Sequence, residues 1–169
     1  MSARRQRQMC IRDRKNPELI QAKNESITII PRAEMLGSIM IGYESIAVAG
    51  SHGKTSTTSM IAKIISMANL SPTYVVGGKV LSSDKNSHLG DGKYIVVEAD
   101  ESDGTFTHLQ PDVAVLTNIN DDHLVHYDNS FEKLLDSFVM FEANVPFYCY
   151  MVINGDDKNV KKISKRISR

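Results

Sequence analysis

One stretch constrains this chain more than any other: Ala47-Val48-Ala49-Gly50-Ser51-His52-Gly53-Lys54-Thr55-Ser56-Thr57-Thr58. The apolar run at residues 46–49 reads as a short strand, and residues 55–68 read as a helix. Between them lies a turn bounded by two glycines and closed by Lys-Thr. Such a turn frees backbone N–H groups to converge on an anion, and the helix N-terminus adds the positive end of its dipole. In this geometry Lys54 reaches the outer phosphates of a nucleotide, and the Thr55 hydroxyl holds a magnesium ion. The common form G-x-x-x-x-G-K-[ST] would place glycine at position 48, where Val48 stands, so the loop is the shorter G-x-x-G-K-T. The competing reading is a plain strand-to-helix turn with a solvated lysine.

The surrounding sequence predicts an α/β fold, a mostly parallel sheet flanked by helices. Strands are expected at 46–49, 73–76, 94–98, 113–118 and 150–153, alternating with helices at 54–69, 130–143 and 157–167. In the first of these helices Met60, Ile61, Ile64, Ile65 and Ala68 recur at helical spacing and form its expected core face. Asn129 and Glu132 form the expected capping pair of the second. In the third, Val160, Ile163 and Ile167 point inward. Residues 81–92 are polar and read as a flexible loop.

Ahead of this core, Asn16-Pro17-Glu18 opens a short helix. Ile27 to Ile30 is a strand candidate stopped by Pro31. Residues 32–41 are helical, with Met35, Leu36, Ile39 and Met40 as the apolar set, and Gly42 closes them. Residues 1–14 differ from the rest. Arg4, Arg5, Arg7, Arg12 and Arg14 crowd a segment without apolar periodicity. It reads as a disordered tail or a basic arm, and Met9-Cys10-Ile11-Arg12-Asp13-Arg14 resembles a translated library adapter, so the segment is set aside as non-native. The net charge of zero gives no general attraction to nucleic acid or to an anionic membrane. No apolar run approaches a membrane span. Cys10 and Cys149 fit no metal or redox spacing and suggest a reducing compartment, hence the cytoplasm.

In parallel sheets ligands bind beyond the carboxyl ends of the strands. Three polar runs fall there: residues 50–55, then Glu98-Ala99-Asp100-Glu101-Ser102-Asp103, then Asn118-Ile119-Asn120-Asp121-Asp122-His123. Bare carboxylates repel a triphosphate, and magnesium resolves the conflict by taking oxygen ligands from both sides. Glu98 is best placed to share the ion with Thr55, and His123 to join the shell of a second ion. His108 and His126 lack such support and read as surface or packing residues. Solvated turns are the plain alternative for the acidic run. A zinc site from Asp121, Asp122, His123 and His126 is a further alternative, although it lacks an i, i+4 histidine pair or a cysteine pair. Thr117-Asn118-Ile119-Asn120 is not a guanine-reading motif.

In combination these residues resemble the Mur ligases. The resemblance rests on Gly50-Ser51-His52-Gly53-Lys54-Thr55, Glu98-Ala99-Asp100-Glu101-Ser102-Asp103, His108-Leu109-Gln110-Pro111, Thr117-Asn118-Ile119 and Asp122-His123. Asn16-Pro17-Glu18, Ile30-Pro31-Arg32-Ala33-Glu34-Met35, Pro146-Phe147-Tyr148 and Gly155-Asp156-Asp157 extend it. It is strongest for the branch that adds the first amino acid in peptidoglycan synthesis, and it implies ATP and magnesium as cofactors and UDP-N-acetylmuramate and L-alanine as substrates. It also implies a P-loop-type central domain in which Gly50, Ser51, His52, Gly53, Lys54, Thr55 and Ser56 bind nucleotide. Lys54, Glu98 and His123 would serve catalysis, and Thr55, Glu98 and His123 would hold metal. His52 and Asp100-Glu101-Ser102 would line the passage toward the sugar. By the same resemblance residues 15–42 end an N-terminal UDP-sugar domain, residues 43–169 are an incomplete central ATP-binding domain, and the C-terminal domain is absent. The missing domains would be required for activity. A related amide ligase acting on a peptide-bearing muramate or on folate, and a non-catalytic nucleotide-binding module, are the alternatives. Two departures stand out: Ser51 replaces the commoner threonine, and Leu124-Val125-His126 replaces a pattern with an acidic residue.

Overall fold

A computed structural model describes residues 16–78 and 86–167. The chain divides into two units between Pro31 and Arg32. In the first, α1 (Pro17–Asn24) starts at Asn16, whose side chain accepts a hydrogen bond from the Glu18 amide, and has proline in its first turn. The strand expected at residues 27–30 does not form. Ile27, Ile29 and Ile30 are 56%, 42% and 43% exposed, in a segment with no strand to pair with among the described residues. An apolar run alone does not make a strand, because all of its ladder hydrogen bonds must come from a neighbouring strand.

The second unit holds α2 (Arg32–Met40), β1 (Glu44–Ala49), α3 (Lys54–Met67), β2 (Thr73–Val75), β3 (Ser87–His88), β4 (Tyr94–Glu98), β5 (Val113–Leu116), α4 (Phe131–Ala143), β6 (Tyr150–Ile153) and α5 (Lys158–Ile163). The sheet runs β3-β2-β4-β1-β5-β6. Only the β2–β3 pairing is antiparallel. The expected mostly parallel sheet with flanking helices therefore forms. β3 lies inside the stretch expected to be a loop, whose residues 81–85 fall outside the described ones, as do residues 1–14.

β1 is central, with Ala47 paired to Val97 of β4 on one side and Ala114 of β5 on the other. Val48, Val96 and Val97 are fully buried, as befits strands covered on both faces. α4 places Leu134, Phe138 and Phe141 in the core, where both phenylalanines pack against Phe106 at ring-centroid distances of 5.1 and 5.3 Å. Its N-cap is Ser130, which accepts from the Lys133 amide; Asn129 sits one residue too early, in the left-handed region at φ 57°. At the strands' amino ends Asp112 accepts hydrogen bonds from both the amide and the hydroxyl of Ser45, at 2.7 and 2.9 Å, tying β5 to β1.

Two helices turn inward only part of the faces expected of them. In α3 the buried residues are Thr58 and Ala62, while Met60 and Ile64 are 58% and 67% exposed and Ala68 lies outside the helix, exposed. The helix is tethered at its first turn by Lys54 and Thr55, and that tether fixes its rotation. Thr55, Thr58 and Ala62 lie on one stripe, so the small side chains approach the sheet, Ile61 and Ile65 are half-buried beside them, and Met60 and Ile64 face away. In α2, Met40 is buried and Leu36 packs against the core as expected, whereas Met35 and Ile39 are nearly half exposed and Ala33 is buried in their stead. α5 buries Val160 and Ile163 but ends before Ile167.

Candidate phosphate and metal site

β1 ends at Ala49, and Gly50 takes φ 126°. A Cβ there would stand 2.3 Å from Thr117 Oγ1 and 2.8 Å from Asn118 O, so only glycine fits. Gly53, at φ 80°, is the N-cap of α3 and brings no capping side chain. The Thr57 amide already donates to Gly53 O. The amides of Lys54, Thr55 and Ser56 belong to the helix's first turn, where no intrahelical acceptor exists.

The rest of the loop is clamped to the end of β5. Ser51 N donates to Asn118 O at 3.0 Å. Asn118 Oδ1 accepts from His52 N and its Nδ2 donates to His52 O, both at 2.9 Å. Thr117 Oγ1 also donates to His52 O at 2.7 Å, and the Ser51 hydroxyl bridges to the backbone of Asn120. Thr117 and Asn118 thus hold the loop's shape, a role their residue types alone did not announce.

Across β1, Glu98 closes β4. Its Oε2 accepts from the Thr55 hydroxyl at 2.8 Å and from the Gly77 amide at 2.7 Å. A Cβ on Gly77 would come within 3.0 Å of the Glu98 carboxylate, and one on Gly78 within 3.1 Å of Thr55. Gly77-Gly78 therefore bring the chain after β2 close over this pair.

Lys54 points back toward its own loop. Its Nζ donates to Gly50 O at 2.7 Å, Ser51 O at 3.3 Å and Glu101 Oε1 at 3.0 Å, with Glu101 Oε2 2.8 Å away. Glu101 is only 2% exposed. Burial pushes its carboxyl above the ordinary 4.5, and the Lys54 charge opposes the shift. Glu101 was expected among the residues lining an open passage; instead it turns inward, because Asp100 caps the short turn Glu101–Asp103 and leaves Glu101 facing the core. Tyr127 donates from its hydroxyl to Glu101 O, and burial raises the Tyr127 phenol to about 12.

The other expected residues are more open. His52 Nε2 lies 3.1 Å from Asp122 Oδ2, both side chains substantially exposed. Asp100 pairs with Arg32 at 3.2 Å. His123 is in the left-handed region at φ 57° and exposed; among the described residues no hydrogen bond or ion pair joins it to Lys54, Thr55 or Glu98. The structure thus joins Thr55 to Glu98 and Lys54 to Glu101, and records no such contact for His123. Nor do three His, Cys, Asp or Glu side chains converge as a metal set among the described residues, which removes the zinc alternative. His108 and His126 are exposed, as expected of surface residues.

Beside the loop, a groove of about 440 Å³ lined by His52, Gly53, Thr57, Thr117, Asn118 and Asn154 opens along the ends of β5 and β6. No helix among the described residues is long and apolar enough to cross a membrane.

The model of the Mur ligase middle domain matches residues 48–169. Over 154 residues the chain is 50% identical to the UDP-N-acetylmuramate–L-alanine ligase of Vesicomyosocius okutanii and 48% identical to that of Trichlorobacter lovleyi. These matches take in 91% of this chain but 33% and 34% of the relatives, so the chain spans about a third of their length. Among solved structures, the UDP-N-acetylmuramate–alanine ligase of Thermotoga maritima superposes with a TM-score of 0.80 at 31% identity, over 90% of this chain and 35% of that one.

Proposed function

Because the chain belongs to the Mur ligase family, we propose that it is the nucleotide-binding portion of a UDP-N-acetylmuramate–L-alanine ligase. Residues 15–42 would close a UDP-sugar domain and residues 43–169 would form part of the ATP-binding domain. In the whole enzyme, acting in the cytoplasm, the γ-phosphoryl group of ATP passes to the lactyl carboxylate of the muramate. The amine of L-alanine attacks the resulting acyl phosphate, and phosphate leaves. A carboxylate is a poor electrophile, and phosphorylation supplies its leaving group.

The observation that carries this reading is the 2.8 Å contact between the Thr55 hydroxyl and the Glu98 carboxylate, made across neighbouring strand ends beside the loop. These are hard oxygen donors of the kind magnesium takes alongside phosphate oxygens and water, so the residues present fit that ion. When bound, it would offset charge on the transferring phosphoryl group. Thr55 and Glu98 would hold it, and Glu98 and His123 would hold a second such ion. The first-turn amides of α3 hold the phosphate oxygens in place, Lys54 balances their charge, and the Asn118 clamp keeps the loop from collapsing.

Two preparations test the proposal: this chain, and the longer protein that carries it. The chain binds magnesium-ATP and the longer protein releases phosphate only when UDP-N-acetylmuramate and L-alanine are both present. Alanine-dependent phosphate release by the chain alone, or none from the longer protein, would sink it.

A further inference from the structure

An ammonium has three N–H donors. In Lys54 three acceptors already take them: Gly50 O, Ser51 O and Glu101 Oε1. As folded, the residue meant for phosphate has no donor to spare, and its side chain is only 13% exposed. Of the three acceptors, only Glu101 is an anion. Its backbone is fixed: Glu101 O accepts from both the Tyr127 hydroxyl and the Gly104 amide. The carboxylate therefore cannot follow the lysine far, while the four-carbon lysine stem can swing.

We propose that Glu101 is the resident counter-anion of the phosphate loop: it occupies Lys54 in the empty chain, and an incoming polyphosphate displaces it. Binding is then an exchange of one anion for another on the same ammonium. Two further observations fit. The carboxylate is buried, so it stays close to Lys54 rather than trading the lysine for water. And Glu101 Oε2, 2.8 Å from Nζ, accepts no directed hydrogen bond, so the pair is held by charge more than by saturated bonding. The consequence is a built-in tax on nucleotide affinity, because the displaced carboxylate remains buried beside a new negative charge. Glu101 is thus a positioning residue, acting through Lys54. The inference rests on reading residues 50–55 as a phosphate cradle.

The test uses inorganic tripolyphosphate, which carries neither base nor metal, titrated calorimetrically into the chain. Glu101→Gln keeps the shape and removes the charge, so it should bind about tenfold tighter than wild type. A merely structural ion pair would give the opposite: unchanged or weaker binding. Lys54→Ala should lose most of the affinity. If wild type and Lys54→Ala bind alike, or neither binds, the cradle reading itself fails. If Lys54 matters but a natively folded Glu101→Gln binds no tighter, the exchange is refuted. Should Glu101→Gln not fold, the wild-type chain decides: the carboxyl 13C resonance of Glu101 shifts on saturation with tripolyphosphate if Lys54 leaves. A resonance that stays in place means that the pair persists, and the proposal falls.

Discussion

Lys54→Met removes the cation and leaves the Glu101 carboxylate at 2% exposure without a counter-charge. Breaking a buried pair in this way costs about 3–5 kcal/mol, a large part of the roughly 5–15 kcal/mol that holds a domain together. The loss depends on pH. Burial already raises the Glu101 carboxyl above its ordinary 4.5, against the pull of Lys54. Without Lys54 the rise grows, so the folded chain keeps a proton that the unfolded chain has released. Folding is then least affected below about pH 4.5 and loses stability as pH climbs through the raised folded value, levelling off above it. Urea unfolding followed by far-ultraviolet circular dichroism, at pH 5 and pH 8, reads both effects. The double variant Lys54→Met/Glu101→Gln contains neither charge; it should regain all but about 1–2 kcal/mol of the loss and shed the pH difference. Equal losses at both pH values, or a double variant no more stable than Lys54→Met, would show that Glu101 is not held as a buried charge.

Gly50→Ala drives a Cβ to 2.3 Å from Thr117 Oγ1 at φ 126°; about 3 kcal/mol of stability should go, with phosphate binding, as denaturation and calorimetry will record. Asn118→Ala breaks both side-chain bonds to His52, costing about 1–2 kcal/mol and accelerating hydrogen exchange at the His52 amide more than in the core strands. Asp112→Ala strands the amide and hydroxyl of Ser45, itself 3% exposed. It should cost about 1–3 kcal/mol in urea unfolding yet leave the tripolyphosphate affinity of the folded chain unchanged, since it lies at the opposite ends of the strands.

What the sequence disclosed and what it hid divide along a physical line. β4 and β6 could be read to the residue, because a short apolar run between polar turns has few other places to go. The glycine spacing of the loop was legible for a similar reason: at Gly50 no other residue fits. The inward face of α3 was not legible. Hydrophobicity favoured Met60 and Ile64, but the tether through Lys54 and Thr55 to other strands set the rotation. The strand at residues 27–30 failed because pairing is a property of neighbours, which a local pattern cannot report. Glu101 was hidden among four acidic or polar residues; nothing local marks which one of a run turns inward, and only the capping by Asp100 and the reach of Lys54 decide it. Thr117, Asn118, Gly77 and Gly78 were similarly mute, since their partners come from more than 20 residues away.

Under the proposed function, Thr55 and Glu98 hold the metal of a metal–nucleotide complex beside the loop. Manganese replaces magnesium in such oxygen sites and reports its ligands by electron paramagnetic resonance. With manganese-ATP present, the wild-type chain should change the spectrum of the free complex, and Glu98→Ala and Thr55→Ala should each abolish most of that change while the chain remains folded. Spectra from all three that match one another, or that match manganese-ATP without protein, would contradict the account.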